Sequence, residues 1–294
     1  EIATPPQEML LALSTLASAL TLSPLRRSPP AMMAGGGAPT VTVVGGTGFV
    51  GSRVCQRLVE AGAEVTSVSQ SGTVPDWCAG APWTKEVTWK KNNLLRGPRE
   101  GLEAAIGAPD AVVSCVGAIN FNTQGLLLAN GKANQEVAKA AKKAGVAKFV
   151  YVSVASEVVD FAAKLLPGYF DGKAQAEQAI LDAFGKGGAC FVKPTFIYGG
   201  EGFGLFPPRV SSGYGSGVEE LLSNEILQKI ADVMPGFAGF IKVALRPPVS
   251  VDAVAASCAR AALGMVDAGV LDGTPSINTA ADLPKPEPEL EPAA

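Results

Sequence analysis

The stretch VVGGTGFVGSRV, Val43 to Val54, decides how the chain is read. Gly45, Gly48 and Gly51 fall at every third position. They follow the β-branched run Thr40–Val44 and precede a segment with Val50, Val54 and Leu58 on one helical face. In a strand–turn–helix unit, a glycine at 45 permits the tight turn. One at 48 lets a bulky anion reach the backbone, and one at 51 lets the helix lie close to the strand. The amide groups and dipole at the start of such a helix attract phosphate. Gly62 ends the helix and Glu64–Ser69 follows as a second strand. Strand, glycine turn, helix and strand thus fit into about 30 residues, the dimensions of a dinucleotide-binding unit. Gly45, Gly46, Thr47, Gly48, Phe49, Val50 and Gly51 are its expected cofactor cradle.

The second strand ends in Ser69-Gln70-Ser71-Gly72, without the acid that would hold the ribose hydroxyls of NAD. An extra phosphate there is not repelled, and Ser69, Ser71 and Arg53 are its candidate partners. NADP(H) is therefore favoured over NAD(H). Arg53 reads equally well as a solvated helix residue.

Beyond this unit, strands and helices alternate. Trp83–Trp89 reads as a third strand and Ala111–Val116 as a fourth. Thr123–Ala144 reads as a long helix and Lys148–Val154 as a fifth strand. Tyr169–Phe184 is a helix again, and Ala189–Lys193 a sixth strand. The pattern predicts an α/β fold, a Rossmann-type doubly wound parallel sheet with a small C-terminal substrate lobe. Ligands in such sheets lie beyond the carboxyl ends of the strands. Cys115, Val116 and Gly117 stand at one of these ends, where Gly117 either admits a cofactor or makes an ordinary turn.

Residues 39–198 are expected to form the nucleotide domain and 199–250 the substrate lobe. That lobe reads as flexible and glycine-rich to 217, then as an amphipathic helix Leu221–Ile230 and an apolar segment at 234–245. Residues 251–280 are expected to return to the main domain. Residues 1–38 hold the apolar run Met9–Leu22, then Arg26 and Arg27, and read as a targeting leader or as a docked amphipathic helix. The run is short of the roughly 20 residues that span a bilayer. Residues 281–294 alternate proline and glutamate, which suits an extended tail.

Composition removes several functions. The chain has 294 residues, 47% of them hydrophobic, enough for one sizeable core. A net charge of −3, with both signs interspersed, argues against a nucleic-acid partner. Histidine is absent, which excludes Ser-His-Asp and Cys-His nucleophiles and imidazole metal sites. The five cysteines are dispersed without a CxxC, so they read as free thiols, and no metal is expected.

Tyr169 and Lys173 in GYFDGK share one helix face at i, i+4. A lysine so placed is expected to stabilise tyrosinate and lower its pKa, giving an acid–base group near neutral pH. The same ammonium can hold a nicotinamide ribose.

GGTGFVG, VVSCVGA, ANGKAN, FVYVS, GYFDGK, KPTFIYGG and PPVSVDAVA follow one another in the order of the short-chain dehydrogenase/reductase superfamily. The chain resembles its extended or atypical members over residues 40–265. The closer likeness is to the branch of complex I 39-kDa-subunit-like proteins, with plastid (plastoglobule) and mitochondrial coenzyme-Q-associated members. That resemblance implies NADP(H), an organellar location with plastid ahead of mitochondrion, and a link to quinone metabolism or respiratory assembly. It also implies that Pro194 and Thr195 border the nicotinamide. Asn93, or its neighbour Asn92, stands near the adenine where relatives carry Asp.

One departure bears on catalysis. Relatives carry a serine where VSVAS places Val154, which cannot donate a hydrogen bond. Ser153 and Ser156 are the substitutes, although strand alternation turns Ser153 to the opposite face from position 154. Two functions follow. The first is an NADPH-dependent reductase of a small hydrophobic carbonyl or quinone-like substrate, using Tyr169, Lys173 and Ser153. The second is a non-catalytic nucleotide-binding subunit, associated peripherally with a membrane or an organellar complex. A sugar-nucleotide epimerase or dehydratase is the weaker third, because it too relies on the missing serine.

Overall fold

Valine and threonine alternate from Thr40 to Val43 in β1 (Thr40–Val44), a second valine closes the strand, and both of its faces are covered. Val41 and Val43 pack with Val54, Cys55 and Leu58 of helix α1 (Phe49–Glu60). Val44 faces the other way, into a cluster with Leu102, Ile106, Val112 and Phe149. Burial on both faces is what a parallel strand requires. The computed structural model describes residues 37–282, apart from 97, 120–121, 164–165, 201–203, 206–207, 210–211, 225–244 and 267–268. The leader, the proline–glutamate tail, the helix predicted to Ile230 past residue 224, and nearly all of the 234–245 segment lie outside these residues.

Around β1 run β2 (Glu64–Ser69), β3 (Val87–Lys91), β4 (Ala111–Ser114), β5 (Lys148–Val152) and β6 (Ala189–Lys193). With a late strand, Val270–Asp272, they form one parallel sheet in the order β3-β2-β1-β4-β5-β6 and then that last strand. The chain leaves β1 in one direction to β3 and returns to β4 on the other side of β1. The carboxyl ends of β1 and β4 therefore carry loops that diverge, and a crevice opens between them.

Helix α1 and the helix Val251–Ala262 cover one face. The second is rich in alanine, and Val254, Cys258 and Ala261 lie in the same core as Val41 and Val43. The other face is covered by α2 (Arg99–Ile106), by α3 (Thr123–Leu127), which passes through a π turn (Leu128–Lys132) into α4 (Ala133–Lys143), and by α6 (Pro167–Gly188). Helix α5 (Ser156–Ala162) lies between β5 and α6 in sequence.

Several boundaries differ from expectation. Pro82 opens a 3-10 turn, Pro82–Glu86, so β3 starts at Val87 rather than Trp83. Strands β4 and β5 stop at Ser114 and Val152, two residues early, although the amides of Cys115 and Ser153 still bond to the Val44 and Val192 carbonyls. Helix α5 and the seventh strand were not anticipated. The glycine-rich lobe is not loop throughout. It contains a small antiparallel pair, Gly204–Leu205 with Pro208–Arg209, and the helix Ser212–Leu222. That helix lies tight against Tyr198, where a Cβ added at Gly215 would stand 2.7 Å from the Tyr198 Cβ.

Candidate functional site

The glycine turn is built without side chains at its close contacts. Gly45 has φ +84°, and its amide bonds to the Val68 carbonyl at 2.8 Å. A Cβ at Gly51 would stand 2.8 Å from the Gly45 carbonyl carbon, and one at Gly45 would stand 3.2 Å from the Cys115 carbonyl. The turn therefore touches the end of β4 backbone to backbone. Gly48 caps α1 with no side-chain hydrogen bond, and no acid stands in the first helical turn. Anions approaching this end meet amides and no competing carboxylate.

Across the crevice, Gly117 faces a buried polar cluster. A Cβ there would come within 2.9 Å of Asn130 Oδ1 and 3.4 Å of Lys173 Nζ. Asn130 sits in the π turn, a helix irregularity that often marks a functional site. Its side chain donates to the carbonyls of Ala118 and Leu126, both at 2.9 Å, and accepts the Ala118 amide at 3.2 Å. Asn134, one turn on, accepts the Ser114 hydroxyl at 2.6 Å and donates to the Val116 carbonyl at 3.3 Å. The two asparagines pin the loop from Cys115 to Ala118. Both belong to the ANGKAN segment that carries the resemblance, but neither was given a role from sequence, although asparagine is a poor helix former and two at i, i+4 were a readable signal.

Lys173 is 5% exposed. Its Nζ donates to the Val152 carbonyl at 2.8 Å and lies 4.7 Å from the Tyr151 ring and 5.9 Å from the Tyr169 ring. Burial pulls the ammonium down to about 8, against the opposing pull of Cys115 and Glu177. Tyr169 is half-buried, and loss of solvent pushes its phenol up to about 12. This reverses the expectation that Lys173 lowers it, because desolvation outweighs a cation that is bonded to a carbonyl instead. Loss of solvent likewise pushes the Cys115 thiol up to about 12.

The hydroxyls at the strand ends already have partners. Ser153 is buried and donates to Glu177, whose other oxygen pairs with Lys193 at 2.8 Å. Ser156 donates to Asp272 at 2.6 Å. Thr195 donates to the Pro247 carbonyl at 2.9 Å, and the Pro194 carbonyl accepts the Ala155 amide. Val154 is buried.

At the other end, Arg53 is stacked, its guanidinium carbon 4.3 Å from the Trp77 ring and 4.9 Å from the Phe49 ring. Ser69 Oγ accepts the Gly72 amide at 3.0 Å, and Ser71 Oγ lies 3.5 Å from the Thr73 amide. Asn93 is exposed and accepts the Leu95 amide. Asn92 is the better acceptor. Its amide group donates to the Gly101 carbonyl, while its Oδ1 is buried without a partner among the described residues. That orphaned oxygen at the end of β3, and a turn that any Cβ would fill, both suit a dinucleotide. A separate cavity of about 540 Å³, with Thr40, Glu64, Thr66, Thr88 and Lys90 in its wall, lies at the amino ends of the strands, away from all of this chemistry.

A doubly wound sheet with a glycine turn at its crossover and a Tyr–Lys pair beside it defines a dinucleotide-fold protein of the extended short-chain dehydrogenase type. The chain belongs to the NAD dependent epimerase/dehydratase family, which matches residues 41–199. It is 35% identical over 222 residues to a chloroplastic protein of Arabidopsis thaliana, covering 73% of this chain and 68% of that one. A shorter match, 38% identical over 60 residues, links it to MIOREX complex component 2 of Saccharomyces cerevisiae, covering 20% of this chain and 22% of that protein. Among solved structures it resembles the Bordetella bronchiseptica enzyme WbmH in complex with NAD+ (TM-score 0.53, 19% identity, 80% of this chain and 75% of that one). It also resembles UDP-N-acetylglucosamine 4-epimerase from Bacillus cereus (TM-score 0.50, 17% identity, 80% and 77%). These two likenesses concern the fold.

Proposed function

We propose that the chain is an organellar reductase, plastid ahead of mitochondrion, that uses NADPH in preference to NADH on a small hydrophobic carbonyl or quinone-like substrate. The glycine turn and the amino end of α1 would hold the pyrophosphate, Asn92 the adenine, Arg53 with Ser69 and Ser71 the 2′-phosphate, and Lys173 the nicotinamide ribose. When bound, the reduced nicotinamide supplies the electron pair for the substrate carbon. Tyr169 donates the proton to the substrate oxygen.

The observation that carries this reading is the placement of Tyr169 and the buried Lys173 one turn apart on α6, with the Lys173 Nζ 5.9 Å from the Tyr169 ring. A protonated phenol there is the form that can donate to a reduced substrate oxygen. The plastid preference draws on the Arabidopsis relative and on the leader-like residues 1–38.

A second reading is favoured by one observation. Ser153, Ser156 and Thr195 all have partners, so no strand-end hydroxyl among them supplies a second donor to a substrate oxygen. A non-catalytic subunit would retain the nucleotide as a structural ligand that stabilises the fold by mass action.

One experiment separates the two. Wild type, Tyr169→Phe and Arg53→Ala are titrated with NADPH and NADH, and carbonyl and quinone acceptors are screened for nucleotide oxidation. The reductase reading expects turnover that falls about 10²–10⁴-fold in Tyr169→Phe with nucleotide affinity unchanged. It also expects Arg53→Ala to lose NADPH affinity selectively. Tight binding with no turnover by wild type on any acceptor decides for the accessory subunit.

A further inference from the structure

Glu177 stands one turn beyond Lys173 on α6. One of its oxygens accepts the Ser153 hydroxyl and the other pairs with Lys193, and the side chain is 24% exposed. The carboxylate is therefore fixed from two strands at once, β5 and β6.

The consequence concerns Lys173. A buried ammonium needs a compensating charge or it gives up its proton, and the acceptor it holds here, the Val152 carbonyl, is neutral. The titratable groups around it are Cys115 from the end of β4, Tyr151 from β5, and Tyr169 and Glu177 from its own helix. Lys193, on β6, pairs with Glu177 and opposes it. Cys115, Tyr151 and Tyr169 are all raised and so are neutral at pH 7. Glu177 is left as the anion of the set.

We propose that Glu177 is a positioning residue, an anion anchored by Ser153 and Lys193 that keeps the buried Lys173 charged for the nucleotide ribose. The same anchoring explains why Ser153 is not available to a substrate: its hydroxyl holds the carboxylate still. This role rests on the nucleotide-site reading above.

The test is NADPH binding to the full chain from pH 6 to 10, followed by nucleotide fluorescence, so that no turnover is needed. Wild-type affinity should weaken as pH rises through about 8. In Glu177→Gln the weakening should set in about one pH unit lower, with affinity at pH 6 within about twofold of wild type. Glu177→Asp should restore the wild-type profile. Ser153→Ala, which releases the carboxylate from one of its two anchors, should move the break down by a smaller step, and it decides the matter alone if Glu177→Gln does not fold. An equal loss at every pH in Glu177→Gln, or a break that neither variant moves, overturns the role of Glu177 and leaves the nucleotide site standing. Wild type that binds neither NADPH nor NADH overturns both.

Discussion

At the amino end of α1 the crevice is walled by backbone, whereas at the ends of β5 and β6 it is walled by side chains that already have partners. Gly45, Gly48 and Gly51 hold three close approaches open, and the helix they introduce has no side-chain cap. Ser153, Ser156 and Thr195 are tied to Glu177, Asp272 and Pro247. The first wall is prepared for a ligand by leaving polar groups without side-chain competitors. The second is rigid because its polar groups are satisfied. Among the described residues there, Tyr169 and Lys173 are the pair proposed above to carry chemistry, so on that reading binding falls to the backbone and reactivity to one side-chain pair.

The sharpest way to break this contrast is at the backbone wall. Gly48→Glu adds a carboxylate where phosphate is expected, with its Cβ 3.2 Å from the Gly45 carbonyl oxygen. NADPH affinity should fall by 100-fold or more, on the order of 3 kcal/mol, read by titration. Unchanged affinity would remove the backbone wall from the binding site.

Lys173 comes next. Its proton is bound less tightly when folded, at about 8 against an ordinary 10.5. Between these values the unfolded chain holds more protons, so this residue's contribution to stability rises with pH across that window and is constant outside it. The difference between wild type and Lys173→Met should therefore grow by roughly 3 kcal/mol in favour of wild type from pH 8 to 10.5 in urea melts. Subtracting the variant matters, because the raised thiols of Cys55, Cys115 and Cys258 impose the opposite slope on both proteins.

The smallest effect is expected at Ser153. Ser153→Ala removes a partner of Glu177, and it should cost about 1–2 kcal/mol of stability with turnover within about threefold of wild type. A drop of 100-fold at preserved stability would make Ser153 a substrate donor and dissolve the contrast between the two walls.

The backbone wall was legible in the sequence because its causes are local. Gly48 and Gly51 answer to contacts with Gly45 and Gly46 inside the one turn, although Gly45 itself also meets Cys115 at the end of the distant β4, and i, i+4 spacing alone pairs Tyr169 with Lys173. What stayed hidden depends on partners far along the chain. Ser153 meets Glu177 24 residues on, Thr195 meets Pro247 52 residues on, and Ser156 meets Asp272 116 residues on. Which hydroxyls are free is a property of the assembled sheet. The acidity of Tyr169 went the wrong way for the same reason, since spacing reveals a neighbouring cation and says nothing about lost solvent. That Asn92 rather than Asn93 has an amide oxygen without a donor became visible only once the turn after β3 was in place.

Trp77, Trp83 and Trp89 are the three tryptophans of the chain, and they stand in one file with ring centres 6.2 and 6.4 Å apart. The file ends at Trp77, which lies over Arg53 and donates to Ser52 at 3.1 Å. All indole emission from the folded protein therefore originates in this file beside α1. On the proposed reading, emission excited selectively through indole follows the arrival of a coenzyme at Arg53.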